Sequence, residues 1–195
     1  MRRKEGNKEA DILDAAVKVF AECGYFKAKM HTIADKAKVS TGSLYVYYPN
    51  KEKILLTIFD QLWKRLYSEL FEISERNELT DTEKLDALID LVFDIFTSSP
   101  QLALVFVNEQ NHIQQKYPEG FAESYEMFFL LGERIIKSGS KEKVFNPNID
   151  AKIFRLYVFG GLRYLLHQWA YDPQTYPLNK IRQNVKYMIK HGLLN

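Results

Sequence analysis

Val39-Ser40-Thr41-Gly42-Ser43-Leu44-Tyr45-Val46-Tyr47-Tyr48 is a short helix with two unlike faces. Ser40 is an N-cap residue whose hydroxyl suits the free backbone N–H groups of a helix start, and Pro49-Asn50 breaks the chain after Tyr48. Leu44 and Tyr48 lie four apart and turn inward together. Thr41, Ser43, Tyr45 and Tyr47 fall on the other side, where short hydroxyls and phenols reach phosphates and base edges, and Gly42 lets a backbone approach closely. A second short helix is expected just upstream, from about Met30 to Lys38. Two short helices joined by a tight turn, the second opening on small hydroxylated residues, form a helix-turn-helix, which enters the major groove by the N-terminus of its second helix. Ordinary packing of a small bundle is the competing reading for Tyr45 and Tyr47.

Working outward, Ile12, Ala15, Ala16, Val19, Phe20 and Cys23 recur at helical steps and predict a first helix ended by Gly24. Cys23, the single cysteine, is expected in the core of that helix. Downstream, the apolar stripe from Ile54 to Phe71 predicts a connector helix from about Lys51 to Glu75, roughly 38 Å long.

Together these stretches resemble the TetR family. The matching residues are Ala21-Glu-Cys-Gly-Tyr25, Ile33-Ala34, Val39 to Tyr45, Tyr47-Tyr48 and Asn50-Lys-Glu-Lys-Ile-Leu55. The resemblance implies that Thr41, Gly42, Ser43 and Tyr45 contact operator bases or phosphates, that Tyr47 meets the DNA backbone, and that Lys51 binds a phosphate. Ser40 completes the expected DNA-binding set. Lys29 stands where the family usually has a Ser or Thr cap, and Lys38 where it usually has a turn glycine. Either a phosphate contact or a solvated face suits Lys29, Lys36 and Lys38.

Charge is distributed as a DNA-binding head would require. Residues 1–53 hold 11 Lys and Arg against 7 Asp and Glu, a net of +4, whereas the remaining 16 against 18 give −2. The 46% hydrophobic and 27% charged composition is that of a folding globular chain. No apolar run is long enough for a membrane span, and Met1 to Lys8 is basic with no apolar stretch behind it, so the expectation is a cytoplasmic, nucleoid-associated protein of a bacterium or archaeon. His31, His112, His167 and His191 show no metal-ligand spacing, and neither a Ser/His/Asp set nor a phosphate loop is recognisable. No enzyme activity, metal or cofactor is therefore assigned. A helical metal enzyme fused to a DNA module would need a partner for the lone Glu109-x-x-His112, and the sequence has none.

The expected organisation is all-α, about nine helices, with a DNA-binding domain over residues 1–53 and a ligand-binding and dimerisation domain over 54–195. In the body, Thr80-Asp-Thr-Glu83 has the capping-box pattern of a fifth helix, two helices follow over about 101–114 and 118–138 with Gly139 as the stop of the second, and Asp150 caps a strongly apolar eighth helix to about Trp169. The final helix follows the Asp172-Pro173 break. Phe93, Phe96, Leu102, Phe106, Tyr125, Phe128, Phe129 and Tyr157 are candidate lining residues of an effector cavity, although such rings fill a solid core as readily as they line a pocket. Glu109 lies on the otherwise apolar stripe Leu102–Phe106–Ile113. It is expected to pair with Arg155 or Arg163, to serve a ligand, or to sit at a solvated helix edge.

Gly160-Gly161 permits close approach of another backbone, and the family resemblance implies a homodimer through the last two helices, hence a pseudo-palindromic double-stranded operator. Segments 102–117 and 159–176 are similar, more loosely, to TetR-type repressors of fatty-acid degradation that release DNA on binding long-chain acyl-CoA. The expected function is thus a repressor released by a small lipophilic effector. Lys152, Arg155 and Arg163 are the cations available for an anionic head, and a drug or aromatic compound is the alternative effector.

Overall fold

The helix starts carry the caps that the sequence announces. In the computed structural model the Ser40 hydroxyl accepts the Ser43 N–H at 3.1 Å and the Asp150 carboxylate accepts that of Ile153 at 2.8 Å. The capping box is complete: Glu83 accepts the Thr80 N–H at 2.8 Å, and the Thr80 hydroxyl accepts the Glu83 N–H at 3.3 Å. Lys29 makes no side-chain cap, as its type dictates, and Lys38 closes its helix at φ 58° and ψ 37°. A lysine in that left-handed region costs ~1 kcal/mol relative to glycine.

Residues 8–117 and 122–193 are described by the structure. Among them the chain forms α1 (Lys8–Cys23), α2 (Met30–Ala37), α3 (Thr41–Tyr47), α4 (Lys51–Ser74), α5 (Asp81–Ser98), α6 (Pro100–Lys116), α7 (Ala122–Lys141), α8 (Ala151–Tyr171) and α9 (Leu178–Leu193), and no strand. The expected start of α7 at Pro118 lies outside the described residues, as do Met1 to Asn7. Helices α1 to α3 close around Ile12, Ala16, Ile33, Ala34 and Leu44, all fully buried. Helix α4 runs on into the body, burying Trp63, Leu66 and Leu70 among α5, α6 and α7. Each such aliphatic side chain contributes ~1.5–3 kcal/mol when removed from water. Helix α1 also packs on α6, so α4 is not the sole joint between head and body.

Two local expectations are corrected. Cys23 is exposed, its thiol donating to the Val19 carbonyl at 3.2 Å. Each four-residue step advances a helical stripe by ~40°, and by the last turn of α1 it has rotated out of the core. Gly139 does not stop α7, which continues to Lys141. Its role is steric: a Cβ there would lie 2.3 Å from the ring of Phe145, which is fully buried. The reversal falls after it, with Lys143 at φ 62° and the Gly139 carbonyl accepting the N–H groups of Val144 and Phe145 at 2.8 and 3.0 Å.

Candidate functional site

Helix α3 presents the face that its spacing predicts. Leu44 and Tyr48 are buried, whereas Thr41, Gly42, Tyr45 and Tyr47 are exposed and Ser43 is half-buried. Tyr48 donates its hydroxyl to Glu9 at 3.0 Å, pinning α3 to α1, and burial followed by that carboxylate pushes the phenol pKa well up. A groove bordered by Lys29, His31, Thr41, Tyr45 and Lys51 runs beside the exposed face. Lys36 is already paired with Glu22.

Lys51 has other partners than a phosphate. Its ammonium donates to the carbonyls of Tyr25, Phe26 and Ala28 at 2.8, 2.9 and 3.1 Å, and lies 4.7 Å from the Tyr25 ring. An ammonium has three protons, and all three are used on the turn between α1 and α2. A phosphate contact by Lys51, as the resemblance implies, would have to take one of these protons from a carbonyl.

Against the same turn sits α6. Glu109, 8% exposed, accepts the Tyr25 N–H at 3.4 Å, and His112 packs its ring against Tyr25 and Phe26, with centroids 5.8 and 5.3 Å away. Lys116 pairs with Glu52 at 2.9 Å, tying the end of α6 to the start of α4. Among the described residues Glu109 has no arginine partner, because its face of α6 looks toward the head and not toward α8. Burial, with Glu52 and Glu109 nearby, raises the pKa of Tyr25.

In the body, residues of α4 to α9 line an almost wholly apolar, partly open cavity of about 80 Å³. Phe96, Phe106, Phe128 and Phe129 line it, as expected. Phe93 instead is buried under Arg182, 5.5 Å from its ring, and Leu102 lines a separate groove beside α1. Tyr125 is a step removed, edge-on to Trp63 at 4.8 Å, and Tyr157 is 81% exposed. Trp63 is central among the wall residues that the candidate set did not include. It contacts the rings of Phe106, Tyr125, Phe128, Phe129 and Phe159, so the aromatics mostly fill the body. Its place on the α4 stripe was visible, but that stripe serves head and body alike.

Three charged residues line the cavity: Glu133, Arg155 and Arg163. Arg155 lies 3.3 Å from Glu133 and 3.6 Å from Glu126, over the Phe129 ring, and Glu133 also takes Lys137 at 3.1 Å. Arg163 donates to the Asn111 side chain and, at 3.3 Å, to the Val107 carbonyl. Cavities that hold drug-sized molecules measure ~300–1,000 Å³, so an effector of that size is admitted only as the helices around Trp63 part.

Comparison with known proteins gives these surfaces their context. Residues 12–58 match the family described as "Bacterial regulatory proteins, tetR family", and residues 59–192 match "YsiA-like protein, C-terminal region". The chain belongs to the TetR family. Over 188 residues, 96% of both chains, it is 27% identical to the fatty acid metabolism regulator protein of Bacillus subtilis. Among solved structures, the fatty acid degradation regulator FadR of Bacillus halodurans superposes with a TM-score of 0.85 at 26% identity, covering 97% of this chain and 98% of that one. The Bacillus subtilis FadR structure, in complex with stearoyl-CoA, gives 0.82 at 26% identity over 94% and 98%.

This TetR-family chain is a ligand-responsive, DNA-binding transcriptional repressor, and regulators of the family are dimers. Ile153, Leu156, Tyr157 and Tyr164 on α8 are all more than half exposed, as are Tyr187 and Met188 on α9. Isolated apolar residues at a surface are ordinary, but a row along two adjacent helices marks an interaction surface. A Cβ at Gly160 or Gly161 would meet nothing within 4 Å, so the middle of α8 is uncovered. Among the described residues no single helix is long and apolar enough to cross a membrane.

Proposed function

We propose that this repressor holds a pseudo-palindromic operator as a dimer joined through α8 and α9, reads it with Ser40, Thr41, Gly42, Ser43, Tyr45 and Tyr47, and releases it on binding a long-chain acyl-CoA. Residues 1–53 act as the head and residues 54–195 as the body, and the protein works on DNA in the cytoplasm. The observation that carries the effector reading is the apolar cavity, walled by a helix that also begins in the head. Trp63 lies about 18 Å along α4 from Lys51. Phe106 contacts Trp63 and stands less than one turn of α6 before Glu109, which holds the Tyr25 N–H. A chain wedged between Trp63 and Phe106 moves both joints between body and head.

The similarity to a regulator seen with stearoyl-CoA supports an acyl ligand here. A cationic drug would need a free carboxylate on the cavity wall, and Glu133 is held by Arg155 and Lys137 while Glu109 faces the head. Linkage sets the energetics: a hundredfold loss of operator affinity requires about 2.7 kcal/mol of preference for the non-binding conformation. Titration of acyl-CoAs of increasing chain length into a protein–operator complex tests the reading. Release should sharpen with length, each buried methylene adding ~0.8 kcal/mol until the cavity is full. A response flat with chain length, with release by aromatic cations instead, would reject it.

A further inference from the structure

The two cations on the cavity wall differ in what already holds them. Arg155 is enclosed by carboxylates, with Glu133 at 3.3 Å and Glu126 at 3.6 Å, and an incoming anion would meet both of those negative charges. Arg163 stands about two turns further along α8, roughly 12 Å away on the same helix. Its acceptors are the neutral Asn111 side chain and the Val107 carbonyl, and among the described residues it forms no ion pair. A half-buried guanidinium without a counter-charge is costly to keep, and its five donors in a planar fork match a carboxylate or phosphate. Burial, opposed by nearby Tyr125, shifts its pKa downward, yet a guanidinium stays charged at neutral pH. Tyr125 adds to the same corner a phenol whose pKa burial raises, so it remains a proton donor. Lys152, the third cation considered from sequence, is exposed and off the cavity wall.

We propose that Arg163 reads the anionic end of the effector, and that the Arg155–Glu133 pair is structural and takes no part in head-group recognition. The site so defined takes a long apolar chain ending in an anion, with the chain in the Trp63 cavity and the anion on Arg163 at the α6–α8 edge. This rests on the acyl reading above and adds the residue that selects the head. Its chemistry is shared by a CoA thioester, through its phosphates, and by a free fatty acid, through its carboxylate.

Calorimetric titration of the full-length protein with stearoyl-CoA, stearate and the uncharged 1-monostearoylglycerol, each below its micelle concentration, tests it. Arg163→Gln should weaken whichever anionic probe the wild type binds by tenfold or more and leave the uncharged probe within a factor of about two. Arg163→Lys should recover part of the loss, since it restores charge without the fork. Wild-type binding of stearoyl-CoA but not stearate would place phosphates on Arg163, and the reverse would place a carboxylate there. Unchanged binding of the anions by Arg163→Gln would overturn the assignment while leaving the acyl reading intact. Equal loss of the uncharged probe would also overturn it, by showing that Arg163 only braces α6 against α8. A wild type that binds none of the three would sink the acyl reading itself, and this inference with it.

Discussion

Glu109 of α6 accepts the backbone N–H of Tyr25 at 3.4 Å, so a side chain of the body fastens the turn between the first two helices of the head. The donor belongs to a residue that is 6% exposed, and a buried N–H left without an acceptor costs ~1–3 kcal/mol.

Glu109→Ala should therefore lower the melting temperature by ~2–10 °C for a chain of this size and weaken the effector's hold over operator binding. Glu109→Gln retains a carbonyl oxygen able to accept the same N–H, and should stay close to wild type in both. Thermal melting combined with effector titration of the operator complex checks the pair. An alanine variant that melts and responds like wild type would remove Glu109 from the coupling.

Lys51→Ala separates a structural lysine from a phosphate-binding one. Three carbonyls lose their donor, so stability should fall by ~1–3 kcal/mol. Operator affinity should drop through the loosened turn, with the slope of log K against log salt nearly unchanged. A direct phosphate contact would lower that slope by about one per half-site. Binding isotherms across a salt series, alongside melting curves, decide between the two.

Gly161→Glu puts a charge on the uncovered middle of α8. A Cβ there meets nothing within 4 Å in the same chain, and glutamate is a better helix former than glycine by ~0.5–1 kcal/mol. The expected product is thus a well-folded monomer with poor operator affinity, because two linked half-sites become one. Sedimentation that still shows a dimer would move the interface away from α8.

The head was legible in the sequence because its signals are local. Ser40 caps, Leu44 and Tyr48 share a face, and Gly24 ends α1 at φ 76°, each visible within a few residues. The body was legible as helices but less so as a site. Periodicity identifies the apolar side of a helix without saying which neighbour it meets. Leu102, Phe106 and Glu109 share an α6 stripe, yet one lines a groove by α1, one the cavity, and one the turn of the head. Tyr157 was misassigned for the same reason: α8 is apolar around most of its girth, and its outer side faces away from this chain. Gly139 looked like a helix stop because its steric partner, Phe145, lies beyond the helix end.

The tightness of the space beside Trp63 bears on timing. If the effector is the long-chain acyl-CoA proposed above, a cavity of about 80 Å³ admits its chain only in molecules whose helices have momentarily parted. The apparent dissociation constant then exceeds that of the parted form by the reciprocal of its population. Association would then be gated by opening and no longer by diffusion alone. The response of a repressor built this way is set by how often its helices part as well as by how well the effector fits.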